Sequence, residues 1–189
     1  MTSLTIEIIN NKDHEAHSKR VCHYAAILAK EAAKLDSSIQ PELIEQAALY
    51  HDIGKAGIPN CILDKPGKLT DKEFLLMKKH SEFGASYIEK YEKKGPVISM
   101  AYEIARWHHE RYDGSGYPDH LVGNQIPMAA QITSVADVYD ALTSKRSYKE
   151  AFSPEKAIEM ILRGKCGVFN PFILNCLLKC QVELKTCVG

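Results

Sequence analysis

Apolar residues recur at spacings of three and four along almost the whole chain, a period that fits α-helices and does not fit strands. From His17 to Leu35, the residues Val21, Ala25, Leu28, Ala29 and Ala32 fall on one helical face. Pro41-Glu42 opens a second helix, with Leu43, Ala47 and Ala48 on one face and Gly54 as its stop. Ala56 to Leu69 contains two Pro and two Gly and reads as a loop. Thr70 and Glu73 form a capping-box pattern that starts a third helix running to about Tyr91. Pro96 lies just inside a fourth, which reaches His109 and is followed by the turn-rich run Asp113–Pro118. A fifth helix fits Met128 to Thr143, Ser153-Pro154-Glu155 caps a sixth, and Asn170-Pro171 caps a seventh. Strand character is confined to Thr5–Ile9, which could equally lead into a helix. These signals predict one all-α domain of about seven helices, and 189 residues with 45% hydrophobic content are enough for its core.

Charge and cysteine usage narrow the function. Twenty-four basic residues balance 24 acidic ones, so no globally basic surface exists to attract a nucleic-acid polymer or an anionic membrane. An anionic ligand must be attracted locally. No run of about 18 apolar residues occurs, which excludes membrane insertion, and the first residues lack the basic and apolar regions of a secretory signal. The six cysteines include no CxxC pair, so they read as reduced thiols in a cytoplasmic protein. Cys176, Cys180 and Cys187 sit at helical spacing and read as packing residues rather than zinc ligands.

The histidines are more informative. His51-Asp52 closes one helix just before Gly54-Lys55, and His108-His109 closes another just before Glu110. Neighbouring side chains on a helix diverge by about 100°, so one small cation takes both only near a helix end. With His17, His80, Asp137 and Asp140, these pairs offer a mixed imidazole and carboxylate donor set. Such a set suits Fe, Mn or Zn rather than Cu(I) or an iron–sulfur cluster.

In order, His17, His51-Asp52 and Asp137 resemble the H…HD…D pattern of the HD-domain metal-dependent phosphohydrolases. HHERYDGSGYP at 108–118, with Gly116-Tyr117-Pro118 intact, resembles the motif of the HD-GYP subfamily. HDIGKAGIP (51–59), ILDKPGKL (62–69), His80 with Gly84, and ADVYDALTSKRSYKEA (136–151) match it as well. The likeness covers roughly residues 13 to 175, which suggests a lead-in over 1–12 and a catalytic domain over 13–189. The resemblance implies a helical bundle with a metal site between helices. It further implies a bacterial phosphodiesterase that opens cyclic di-GMP to linear pGpG, with GMP as an onward product. Two or three divalent cations, Fe or Mn, would be held by Asp13, His17, His51, Asp52, His80, His108, His109 and Asp137, with Asp52 bridging two of them. Such cations lower the pKa of a bridging water and clamp the phosphate oxygens.

The resemblance also assigns roles beyond the metal. Asp52 and Lys55 would be catalytic, Lys55 as a point charge for a non-bridging oxygen. Tyr117, Arg146 and Lys149 would contact guanine. Apart from the resemblance, Asp140 is a candidate to orient a ligand histidine, and Lys65 and Lys68, in the loop, are candidates to line the entrance. Asp113, Gly114 and Gly116 read as turn architecture. Two positions depart from the family pattern: Asp13 replaces a Glu, which bears on the third cation, and Asn170 replaces an Asp, which matters only if that Asp does more than cap a helix. No sensory domain precedes the motifs, so the expectation is a stand-alone module or one regulated by a diguanylate cyclase or a separate sensory or receiver protein. The rivals are preference for 3′,3′-cyclic GMP-AMP and a cyclic-dinucleotide sensor or interaction module. A generic HD nucleotidase would not need the GYP turn.

Overall fold

A computed structural model describes residues 12–91, 95–145 and 150–187. Among them the helices are α1 (Lys12–Ala33), α2 (Pro41–Ala48), α3 (Asn60–Leu63), α4 (Asp71–Lys78), α5 (His80–Tyr91), α6 (Pro96–Trp107), α7 (Met128–Thr143), α8 (Pro154–Leu162), α9 (Pro171–Lys179) and α10 (Gln181–Thr186). Two 3₁₀ turns, Ile53–Gly57 and Gly123–Gln125, complete the order, and the described residues contain isolated bridges but no strand. None of these helices is long and apolar enough to cross a membrane.

The caps read from the sequence hold. Thr70 and Glu73 make a reciprocal capping box, and Ser153 accepts from the Lys156 N–H. Pro41, Pro96, Pro154 and Pro171 occupy first-turn positions, where a missing N–H costs nothing.

At the centre lies α7, packed between α1, α6 and α8. Twelve of its sixteen residues are buried, and five of the twelve are polar. Each of those five has a partner. Thr133 and Thr143 donate to carbonyls one turn back, Ser134 accepts from Arg111, Gln131 donates to Ile126 O, and Asp140 meets His17 and Arg20. The apolar side of α7 joins Val21, Leu28, Ile44, Ile104 and Ile161 in one continuous core.

Four boundaries differ from the sequence reading. The second helix ends at Ala48 rather than at Gly54, and Gly54 instead lies in the separate 3₁₀ turn Ile53–Gly57 that Asp52 precedes. The expected third helix is two helices, α4 and α5, broken at Lys79. There the Met77 carbonyl accepts from the Lys79 N–H and from His80 Nδ1, at 2.7 Å for the latter, and the chain turns so that His80 faces inward. The 56–69 loop includes the end of the first 3₁₀ turn and the one-turn α3. Past Lys79's counterpart at the C-terminus, Cys180, the seventh predicted helix is followed by a further short one, α10.

Asn170 is a cap. Its Oδ1 accepts from the Phe172 N–H at 2.9 Å, and its Nδ2 donates to Gln131 Oε1 at 2.8 Å, while Gln131 Nε2 donates to Ile126 O at 2.7 Å. All three groups lie in buried surroundings, so an aspartate at 170 must either face the Gln131 oxygen or flip that amide away from Ile126. Asn170→Asp is therefore expected to lower stability by about 1–3 kcal/mol, one buried hydrogen bond. Chemical denaturation measures that loss, and metal content should be unaffected.

Candidate metal centre

The backbone fixes which nitrogen of each histidine is available. Nδ1 of His51 lies 2.9 Å from Ala48 O, that of His80 2.7 Å from Met77 O, and that of His108 2.9 Å from Ile104 O. A carbonyl only accepts, so each Nδ1 keeps the proton and each Nε2 is left with a lone pair. His17 is oriented in the same way by a carboxylate, with Nδ1 2.7 Å from Asp140 Oδ2. All four Nε2 atoms point to one place, and Asp52 stands in its middle. Asp52 Oδ2 lies 3.3 Å from His51 Nε2 and 3.5 Å from His17 Nε2. Its other oxygen, Oδ1, lies 3.4 Å from His80 Nε2 and 3.9 Å from His108 Nε2. Asp137 Oδ1 is 3.4 Å from His17 Nε2, and His109 Nε2 is 3.1 Å from His80 Nε2.

This arrangement suits cations. The donors form two groups, His17/His51/Asp52 and Asp52/His80/His108/His109, each with its ligand atoms within 4.8 Å of one another and sharing Asp52. His108 Nε2 is buried and has no hydrogen-bond partner, an arrangement that costs free energy unless something else occupies its lone pair. The donors are imidazole and carboxylate without thiolate, which fits Fe, Mn or Zn.

Electrostatics point the same way. Burial, followed by the neighbouring imidazoles His51 and His80, pushes His108 down to about 3. Burial likewise lowers His80, and burial with His108 and His80 lowers His109, so these rings stay neutral and able to ligate. Burial would raise the Asp52 carboxyl, but the Lys55 ammonium and His51 overcome it and hold the group well below its ordinary range. His17 is the exception. Burial alone would lower it, yet hydrogen bonds to Asp140 and Asp52 and the charge of Asp137 raise it to about 9. In the metal-free protein a proton on His17 balances part of the carboxylate charge that a cation would otherwise meet.

Local structure brings these residues together. Gly54 follows Asp52 in the 3₁₀ turn, and a Cβ there would lie 1.8 Å from His80 O and 2.3 Å from Gly84 N. Two glycines thus let the backbone bearing Asp52 and Lys55 press directly against α5, which bears His80. Lys55 Nζ donates to Asp52 Oδ2 at 2.5 Å. Beyond α6, the buried Glu110 carboxylate accepts from the Asp119 and Leu121 N–H groups at 2.7 and 3.2 Å and so gathers the GYP turn. Gly116 lies beneath Glu110, where a Cβ would come within 2.4 Å of its Cα. The Arg111 guanidinium donates to Glu110 O and Ser134 Oγ and lies over the Phe169 ring, tying the end of α6 to α7. Tyr117 stacks on His109 with centroids 4.8 Å apart, and burial raises its hydroxyl pKa.

The structure therefore assembles His17, His51, Asp52, His80, His108, His109 and Asp137, with Lys55, Tyr117 and Asp140 around them. Asp13 lies in α1, but its side chain falls outside the described residues, as do Arg146 and Lys149 altogether. Lys65 is paired with Glu73 at 2.6 Å, and Lys68 is exposed. The sequence reading did not single out Arg20, Glu110 or Arg111 as organisers. Arg20 lies one turn after His17 and donates to Asp140 Oδ1 at 2.5 Å. The other two follow the His108-His109 pair directly, and that adjacency was the available signal.

Comparison with known proteins agrees with this architecture. The HD domain family model matches residues 3–168. A cyclic di-GMP phosphodiesterase response regulator, RpfG of Xanthomonas campestris, is 40% identical over 174 residues, covering 92% of this chain and 45% of the relative. A 3′3′-cGAMP-specific phosphodiesterase of Vibrio cholerae is 39% identical over 169 residues, covering 89% and 32%. The chain thus spans less than half the length of these curated relatives. Among solved structures, the HD domain of the L. monocytogenes phosphodiesterase PgpH in complex with cyclic-di-AMP superposes with a TM-score of 0.64 at 16% identity, covering 100% of this chain and 99% of that one, a likeness of fold. The chain belongs to the HD-domain family, and its Gly116-Tyr117-Pro118 turn puts it in the HD-GYP branch.

Proposed function

We propose that the chain hydrolyses cyclic di-GMP to linear pGpG, and onward to GMP, with two or three divalent cations, Fe or Mn, held by His17, His51, Asp52, His80, His108, His109 and Asp137 and, for a third, Asp13. One observation carries the reading: the two oxygens of Asp52 face two separate groups of buried imidazole donors. Bound there, divalent cations supply Lewis acidity toward a phosphodiester and a nucleophile drawn from water at neutral pH. Asp140 holds His17 by Nδ1, and three main-chain carbonyls hold His51, His80 and His108, so the donors are oriented before any ligand arrives. Lys55, already beside Asp52, is placed to neutralise a non-bridging phosphate oxygen as a point charge. Tyr117, Arg146 and Lys149 recognise guanine, Arg146 through its forked donors. The six free cysteines fit a reducing cytoplasm. A diguanylate cyclase or a separate sensory or receiver protein is the partner class that would regulate this activity.

The test is direct. Protein purified anaerobically and loaded with Fe or Mn should convert cyclic di-GMP to pGpG, followed by chromatography alongside elemental analysis. Intact substrate after hours would overturn the reading. A second reading, preference for 3′,3′-cyclic GMP-AMP, is favoured by the relative of that specificity at 39% identity, and competing-substrate chromatography separates the two. A binding-only role would rest on the departures at Asp13 and Asn170, and the second of these is accounted for by its capping bonds. Arg146→Ala is expected to raise KM more than it lowers kcat, because it removes ground-state contact with the base. Equal falls in kcat and kcat/KM would contradict that role.

A further inference from the structure

Lys78, in the last turn of α4, holds its ammonium 4.9 Å from the Tyr117 ring centroid and 5.0 Å from that of Phe74. Tyr117 in turn stacks on His109, with an interplanar angle of 29°. The tyrosine ring therefore touches both an imidazole of the candidate metal centre and a lysine. The neighbouring lysines differ from Lys78 in one respect. Lys55 is paired with Asp52, Lys65 with Glu73 and Lys79 with Glu82. Among the described residues, no carboxylate lies within ion-pair distance of Lys78, and aromatic faces are what it rests on.

We propose that Lys78 binds the phosphate of the cyclic dinucleotide that is not being cleaved; this rests on the substrate reading above. A cyclic dinucleotide carries two phosphodiester groups, and a centre built around Asp52 engages one. The other brings a full negative charge to the rim, beyond the phosphate that Lys55 is placed to neutralise. A cation held by aromatic faces is held less strongly than one in a charge-assisted hydrogen bond to phosphate, so the ammonium transfers to the anion when it arrives. The transfer uncovers the Tyr117 face on which Lys78 had rested, and a purine can stack there. Phosphate capture and base stacking are thereby coupled through one side chain.

Binding of a nonhydrolysable bisphosphorothioate analogue of cyclic di-GMP to the Mn-loaded protein tests this without relying on turnover. Lys78→Met keeps the length and apolar body of the side chain and removes the charge. It should weaken binding about tenfold and flatten the dependence of affinity on salt, since one attractive charge is gone. Lys78→Arg should restore most of the affinity. Lys79→Met, which removes an exposed charge paired with Glu82, should bind like the wild type. Unchanged affinity in Lys78→Met, or an equal loss in Lys79→Met, overturns the proposal while leaving the substrate reading intact. A wild-type protein that hydrolyses bis(p-nitrophenyl) phosphate but does not bind the analogue overturns both.

Discussion

Asp52→Ala is expected to abolish phosphodiester hydrolysis and metal content together, with turnover falling by at least about 10³-fold, the equivalent of losing roughly 4 kcal/mol of transition-state stabilisation. The size of the effect follows from position. Asp52 is shared by both donor groups, one oxygen toward His17 and His51 and the other toward His80 and His108. Alanine leaves six buried or half-buried imidazole and carboxylate donors with no common anion among them, and it frees Lys55 to repel an incoming cation. Elemental analysis beside a product assay reads both losses. Asp52→Asn separates charge from shape, since it keeps an oxygen in place but cannot compensate two cations. A variant at 52 that retained full metal content and near-normal turnover would remove Asp52 from the centre of the site.

Gly54→Ala should produce the second largest effect, and here the cause is packing rather than charge. The added methyl would sit 1.8 Å from His80 O and 2.3 Å from Gly84 N, both main-chain atoms that cannot rotate aside. Overpacking a core side chain usually costs about 1–3 kcal/mol, and a clash with backbone belongs at the upper end or beyond. For a chain of this size about 3 kcal/mol lowers Tm by roughly 6–12 °C. The turn that bears Asp52 and Lys55 must move away from α5, which bears His80, so metal affinity should fall with stability. Thermal denaturation followed with and without added Mn measures both. An unchanged Tm would mean that the two segments do not meet as closely as the structure has them.

Much of this is legible in the sequence. Helical period and Pro caps gave the bundle, and the order of histidines and carboxylates gave the donor set. What the sequence could not show was how those donors are held. The break at Lys79 depends on a side-chain nitrogen of His80 bonding a carbonyl three residues back, an interaction that no periodicity announces. Glu110 and Arg111 look like ordinary surface charges beside two histidines, yet Glu110 is buried and serves the backbone of the GYP turn. The substitution at Asn170 was ambiguous as long as its neighbours were unknown. Gln131, 39 positions away, supplies the acceptor that makes an amide the fitting side chain. In each case the deciding partner is either a main-chain atom or a residue distant in sequence.

Distance along the chain has a consequence for how the protein comes to be. The carboxylate that orients His17 belongs to Asp140, 123 positions later, and the same group is held by Arg20 across 120 positions. Closing a loop of that length is an entropic cost that must be met before the contact returns anything. During synthesis, His17, His51 and Asp52 leave the ribosome long before the residue that sets the first of them in place. All seven candidate donors precede Asp140 in the chain, so a nascent chain carries His17 without its orienting carboxylate until α7 docks on α1. The His17/His51/Asp52 group thus reaches its final geometry only when α7 has packed on α1, a step that follows synthesis of most of the chain.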